Sequence, residues 1–289
     1  MQSFIAALLN SLDIAMLLFV IAVGLNIIFG VLNVINFAHG GLYMLGAYFT
    51  YMLVGRLGLP FWPALLLAPL AVAAVAVVLE RLVLRRVYDR HVTDSLLLTF
   101  ALLLIIDESV RMIWGSGIHV VRPPDLLRGN VSFLGVNYPV YSLFVILMGA
   151  AMLLALWALF TRTRLGRIVR AAAIDRDMAQ TVGINVPLVI TGVFAFGAWM
   201  AAVGGVIAAP MRAIDPGMGD KIIIESFIVV VIGGLGSFPG TLLGALVLGF
   251  IHGFGGRYLP EINLVLPYIG MALVLLWRPQ GLMGRGAAA

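Results

Sequence analysis

IAMLLFVIAVGLNIIFGVLNVINFAHGGLYMLGAYFTYMLVG, residues 14–55, holds no charged side chain over 42 positions. A helix needs about 20 apolar residues to cross a bilayer, so this stretch is long enough for two spans. It is not uniform. A polar, Gly-containing interruption with Asn33, Asn36 and His39 lies inside it. Two spans with a break between them are therefore expected, in a chain that is an all-α polytopic integral membrane protein.

The rest of the chain agrees. It is 62% hydrophobic and 11% charged, with a mean hydropathy of +1.10. Residues 61–79 form an uninterrupted apolar run of 19. Spans are expected near 10–32, 41–55, 61–80, 93–114, 139–161, 187–210, 222–256 (one broken pair) and 262–278. That gives about eight, or up to ten with the broken elements counted separately. Residues 1–289 then form a single transmembrane domain. The region after Met1 lacks a basic start and reads as a first span or its lead-in, not a cleaved signal. With no cysteine there is no disulfide framework. The net charge of +5 reports membrane orientation and not nucleic-acid binding.

The arginines are clustered. Arg81, Arg85, Arg86 and Arg90 form one group, and Arg162, Arg164, Arg167, Arg170 and Arg176 another. Arg278 and Arg285 follow the last apolar segment. By the positive-inside rule these mark the cytoplasmic face. The first two groups lie two spans apart, so both fit one side. The Gly-, Pro- and Asn-rich connection 115–138 is then external. The side of the N-terminus depends on whether 31–40 completes a crossing or re-enters.

LGRIVRAAAIDRDMAQTVGI, residues 165–184, is a charged, helix-prone island between apolar segments. Membrane proteins driven by a separate motor subunit present such a helix for docking. The alternative is an exposed connecting loop.

Two places break the helical pattern alike: GVLNVINFAHGGLYMLGAY (30–48) and VIGGLGSFPGTLLGALVLG (231–249). Paired interrupted segments point to a translocation site, since irregular backbone at membrane depth must be buried in protein or line a cavity. The competing account is that Gly and Pro are simply common in membrane helices. Asn36, His39, Gly233, Gly234 and Ser237 are the candidate pathway residues at these breaks. Glu225, early in an apolar run after Asp215, Asp220 and Lys221, is a further candidate. It suits an ammonium group in an external vestibule, or else a solvated helix start. Asn26 reads as a helix–helix hydrogen-bonding group, worth about 0.6–2 kcal/mol. Gly197, Ala201, Gly205 and Ala209 recur every four residues, and Gly240–Gly244 and Gly249–Gly253 are GxxxG pairs. These read as packing faces. Asp107, Glu108 and Arg111 are spaced for an ion pair on one helix face.

Catalytic signals are lacking. The single lysine, Lys221, sits in no phosphate-binding loop, and the four histidines are scattered.

The segments GLNIIFGVLNVINFAHGGLYMLGAY, RAAAIDRDMAQTVGIN, IGGLGSFPGTLLGA and WRPQGLMG together resemble the permease subunits of branched-chain amino acid ABC importers, the LivH type. The resemblance covers nearly the whole chain. It departs from the general ABC-permease pattern in one respect: Arg170-Ala171-Ala172 stands where that pattern begins Glu-Ala-Ala. The resemblance implies uptake of branched-chain or other apolar amino acids across a bacterial inner membrane. Related permeases serve urea, amides and aromatic or other organic acids. It implies a second, LivM-like permease, two ABC ATPase subunits, a periplasmic substrate-binding protein and membrane lipid as partners, with no nucleic acid. No cofactor is expected in this chain, which is not itself an enzyme; ATP and Mg belong to the ATPase subunits. The docking helix, about 165–184, and the C-terminus are expected in the cytoplasm. Candidate ATPase contacts are Arg170, Ala171, Ala172, Asp175, Met178, Ala179 and Gly183. An ion-coupled secondary transporter is the other transport class; it would need an intramembrane coupling site, and the carboxylates lie mostly at span ends.

Overall fold

The computed structural model describes residues 1–88, 90–133 and 135–284. Arg285, expected beside Arg278 on the cytoplasmic side, lies outside them. Helix α1 (Gln2–Leu32) is the central post. It begins eight residues before the expected span. Its sequence is apolar all round, which suits a helix enclosed by others, and residues 15–28 are buried without a gap. The chain leaves the helix through a left-handed Asn33 (φ 54°) and resumes as α2 (Ala38–Thr50), extended by a π-helical turn to Arg56. The first expected break is thus present, between the buried C-terminal part of α1 and the nearly fully buried α2.

Helices α3 (Phe61–Leu82), α4 (Val92–Trp114), α5 (Val140–Arg162) and α8 (Val186–Ala208) follow. Between α5 and α8 lies an elbow of two short helices, α6 (Arg164–Ile174) and α7 (Arg176–Thr181). Helices α9 (Met218–Gly233) and α10 (Phe238–Tyr258) flank the second break, and α11 (Leu266–Trp277) precedes the C-terminal tail. Every expected span matches a helix or a helix pair. Among the described residues, five segments are long and apolar enough to cross a membrane alone: Gln2–Leu32, Phe61–Arg86, Val140–Arg162, Val186–Ala208 and Phe238–Tyr258. The chain is therefore a multi-pass, all-α membrane protein. Helix α4 has 23 residues but carries the Asp107–Arg111 ion pair, at 2.9 Å. Helices α9 and α11, at 16 and 12 residues, are shorter than a full crossing, and the 13-residue α2 gains length only through its six-residue π-helical extension.

Small residues set the packing, as is usual where lipid removes the hydrophobic drive between helices. A side chain at Gly205 on α8 would strike the Tyr43 carbonyl of α2, and one at Gly46 on α2 would strike Ala202. Gly197 and Gly24 meet where α8 crosses α1. Of the two GxxxG pairs on α10, Gly240 and Gly244 lie against Gly233 and Val229 of α9, and Gly249 and Gly253 against Ala15 and Ser11 of α1.

One end of the bundle carries the connection 115–139, which folds into a hairpin of β1 (Asn130–Phe133) and β2 (Val136–Pro139). The Tyr138 hydroxyl donates to the Leu9 carbonyl at 3.0 Å. His119 and Ile214 exchange backbone hydrogen bonds at 2.9 Å, joining the loop before α9 to the same face. The N-terminus therefore shares a face with 115–139. The 23-residue α5 separates that face from the elbow. A cleft of about 490 Å³ lined by Arg81, Arg85, Asn185 and Thr191 places the first arginine group beside the start of α8, on the elbow's side.

Candidate coupling and translocation site

The elbow is built from capping signals. Thr163 opens α6, its Oγ1 accepting from the Gly166 amide at 3.1 Å. Asp175 opens α7, its Oδ1 accepting from the Met178 amide at 2.9 Å. Gly183 closes α7 in the left-handed conformation (φ 85°), the usual role of a glycine just past a helix end. Asn185 then opens α8, accepting from the Leu188 amide at 3.1 Å. Asp175 and Gly183 therefore shape the elbow itself.

The two faces of the elbow differ. Ala172 (1% exposed) and Ala179 (3%) are turned into the chain's own body. Their expected role, admitting close approach of a partner, does not fit that placement. The outward residues are Ile174 (78% exposed), Met178 (62%) and Val182 (69%). They are exposed apolar residues on an otherwise charged element, Ile174 ending α6, Met178 within α7 and Val182 just past it. Only Met178 is on the list of expected contacts. Ile174 and Val182 were legible as the other apolar residues four positions either side of it.

Two elbow arginines reach inward. Arg170 donates to the Phe160 carbonyl in the last turn of α5. Arg176 donates through Nη2 to the Val31 carbonyl in the last turn of α1 at 2.8 Å. Both satisfy carbonyls that a helix C-terminus leaves without amide partners, and both set a cation at the negative end of a helix. Beside Arg176, burial pushes the Tyr88 phenol well above its usual range, and the Glu80 carboxylate adds to that while the arginine opposes it.

The first break is held from two sides. Arg176 takes the Val31 carbonyl, and Thr99 of α4 donates to the Ile35 carbonyl at 3.0 Å. Asn36 and His39 are both completely buried. The His39 Nε2 lies 2.9 Å from the Ile21 carbonyl, which can only accept, so this nitrogen carries the proton. Among the described residues, the Nδ1 of His39, both polar atoms of the Asn36 amide and the Ser226 hydroxyl of α9 find no hydrogen-bond partner. Helix α2 meets α9 here at Gly40 and Gly219. Phe37 packs between Phe227 (tilted, 5.1 Å) and Phe100 (edge-on, 6.0 Å), two aromatic residues absent from the expected site.

At the second break, Gly233 and Gly234 are covered rather than open. Gly233 abuts Gly240, and Gly234 abuts Gly284. The tail pairs with the end of α9, Leu282 N to Ile232 O at 2.8 Å and Met283 N to Gly233 O at 2.9 Å. Ser237 caps α10, accepting from the Gly240 amide at 3.2 Å. The two breaks are neighbours: a side chain at Gly30 would come within 3.3 Å of Gly236. Glu225 is separate from both, with a partner that the sequence did not suggest, His252 Nε2 of α10 at 3.8 Å. Lys221 lies 3.8 Å from Asp215 and is largely exposed.

A family model described as "Branched-chain amino acid transport system / permease component" matches residues 7–275. The high-affinity branched-chain amino acid transport system permease protein BraD of Pseudomonas aeruginosa (strain PAO1) is 30% identical over 98% of this chain and 96% of its own length. LivH, the corresponding permease protein of Escherichia coli (strain K12), is 31% identical over 98% and 96%. LivM of Salmonella typhimurium (strain LT2) is 27% identical over 95% of this chain and 70% of its own length.

Proposed function

The chain belongs to the branched-chain amino acid transport permease family, and we propose that it is the membrane-spanning subunit of an ATP-driven importer of branched-chain or other apolar amino acids. It hydrolyses nothing itself. Two ATPase subunits supply the energy from below, a binding protein delivers the amino acid from outside, and a second permease related to LivM completes the pathway in a bacterial inner membrane. The elbow and the C-terminal tail face the cytoplasm, and the N-terminus and 115–139 face outward. Helices α2, α9 and α11, added to the five long apolar spans and α4, bring the count of membrane elements among the described residues to nine.

One observation carries this reading beyond the family match. The elbow presents Ile174, Met178 and Val182 outward on an element that lies outside the spans. Exposed apolar side chains grouped in this way mark a protein contact. Arg170 and Arg176 tie the same element to the ends of α5 and α1, so a push on it reaches the membrane helices. Arg170 and Asp175 thus orient the contact, and Met178 makes it.

The pathway wall in this reading is the seam of α2 and α9, with Asn36 and His39 buried in it and the partly exposed Glu225 beside it toward α10. The burial of Asn36 and His39 describes a closed seam. The Phe37, Phe100 and Phe227 cluster offers an apolar surface that suits an aliphatic side chain. Gly233, Gly234 and Ser237 hold the second break in shape. Isolation of the complex through a tag on this chain tests the proposal: ATPase subunits should co-purify, and Met178→Glu should remove them while the permease stays abundant. Undiminished ATPase recovery with Met178→Glu would refute the docking assignment.

A further inference from the structure

We infer that Arg176 is the positioning residue that ties movement of the α6–α7 elbow to the first membrane break, through its hydrogen bond to the Val31 carbonyl. The inference rests on the proposed docking of an ATPase at the elbow.

Helix α1 ends without a basic residue in its last turn. The Asn33 amide takes the Phe29 carbonyl at 2.8 Å and completes the helical ladder. The Val31 carbonyl has no helical amide left to take, because the chain turns left-handed at Asn33. Arg176, 145 residues away in sequence, supplies the missing donor and the missing cation together.

The other end of this contact is equally defined. Arg176 is the first residue of α7, and Asp175 fixes that helix start. Exposed Ile174 and Met178 stand on either side of it. Met178 lies in the first turn of α7 with Arg176, so a force on its side chain reaches Arg176 through one helical turn, while Ile174 ends α6 across the extended Asp175. Two residues beyond Asn33, Thr99 of α4 grips the Ile35 carbonyl. The break thus lies between an anchor on a long membrane helix and an anchor on the elbow. Displacing the elbow relative to α4 has to pull on residues 31–35, and Asn36 and His39 follow directly.

The test uses the assembled transporter in proteoliposomes, with leucine and its binding protein inside the assay. Arg176→Ala should retain ATPase recovery and ATP hydrolysis, while leucine moved per ATP falls about tenfold or more, as loss of a charge-assisted hydrogen bond implies. Arg176→Lys should recover most of the yield and Arg176→Met, of similar bulk but without the charge or the donor, should not. Wild-type leucine per ATP in Arg176→Ala would overturn the inference. If Arg176→Ala fails to accumulate, spin labels on this cysteine-free chain read the link with Arg176 intact. The Phe29→Cys, Asp177→Cys pair should keep its distance when nucleotide is trapped, while the Leu82→Cys, Asp177→Cys pair shifts. Separation of 29 from 177 on trapping would equally overturn it. Loss of ATPase from Met178→Glu alongside normal yield in Arg176→Ala would sink this link alone. Retention of ATPase by Met178→Glu would instead sink the docking reading beneath it.

Discussion

The Gly236 amide donates to Asn26 Oδ1 at 2.6 Å, across 210 residues of sequence. The same side chain donates through Nδ2 to the Ser237 carbonyl at 2.9 Å and to Thr241 Oγ1 at 2.5 Å. One amide in the last two turns of α1 thus fixes the backbone of the second break, where Gly236 is left-handed (φ 76°).

Asn26→Leu should leave the Gly236 amide and the Ser237 carbonyl without these partners at a part-buried break. The expected loss is about 0.5–1.5 kcal/mol, read as a lower melting temperature and lower abundance in detergent. Asn26→Asp should also destabilise, because a carboxylate cannot donate to the Ser237 carbonyl. An unchanged melting temperature for both variants would show that the contact holds nothing.

Two glycines of α8 should behave oppositely. Gly205→Leu would drive a side chain into the Tyr43 carbonyl, so the α2–α8 contact should fail and little folded protein should reach the membrane. Gly192 has open space around its missing Cβ, and Gly192→Ala should raise stability by about 0.5–1 kcal/mol. Size-exclusion profiles of tagged protein after heating measure both.

The two faces of the elbow predict separable defects. Ile174→Glu and Val182→Glu should leave abundance near normal and reduce ATPase recovery. Ala179→Arg forces a charge into a buried position and should lower abundance first. Equal abundance loss in all three would remove the distinction between an outward and an inward face.

Orientation follows from labelling, because the chain has no cysteine. Leu126→Cys is 78% exposed at the native residue and Met178→Cys 62%. An impermeant thiol reagent should modify the first in intact cells and the second only after permeabilisation. The reverse pattern would place the elbow outside.

The helix positions could be read from the chain almost unaided, because lipid demands apolar runs and the breaks announce themselves with Asn, Gly and Pro; five of those helices are long and apolar enough to cross a membrane alone. The GxxxG pairs and the 197–209 stripe likewise declared packing, since small residues at helical spacing have few other uses. Direction was harder to read. Ala172 and Ala179 are small enough to sit on a partner or beneath the chain, and only the fold shows them inward. Arg170 looked like a surface contact, yet its bond is to a backbone carbonyl, which leaves no trace in residue type. The partners of Arg176, Asn26 and Glu225 are Val31, Gly236 and His252, none of which spacing could bring together. Asn36 and His39 were found as polar groups at a break; their complete burial depends on α9, which arrives some 180 residues later.

The most direct test of the account is leucine uptake by proteoliposomes holding the complex isolated through this chain, with ATP sealed on the elbow side and the binding protein on the other. Accumulation should require both, and should stop when either is withheld. Accumulation driven by a sodium or proton gradient without ATP would contradict the assignment of this chain to an ATP-driven importer.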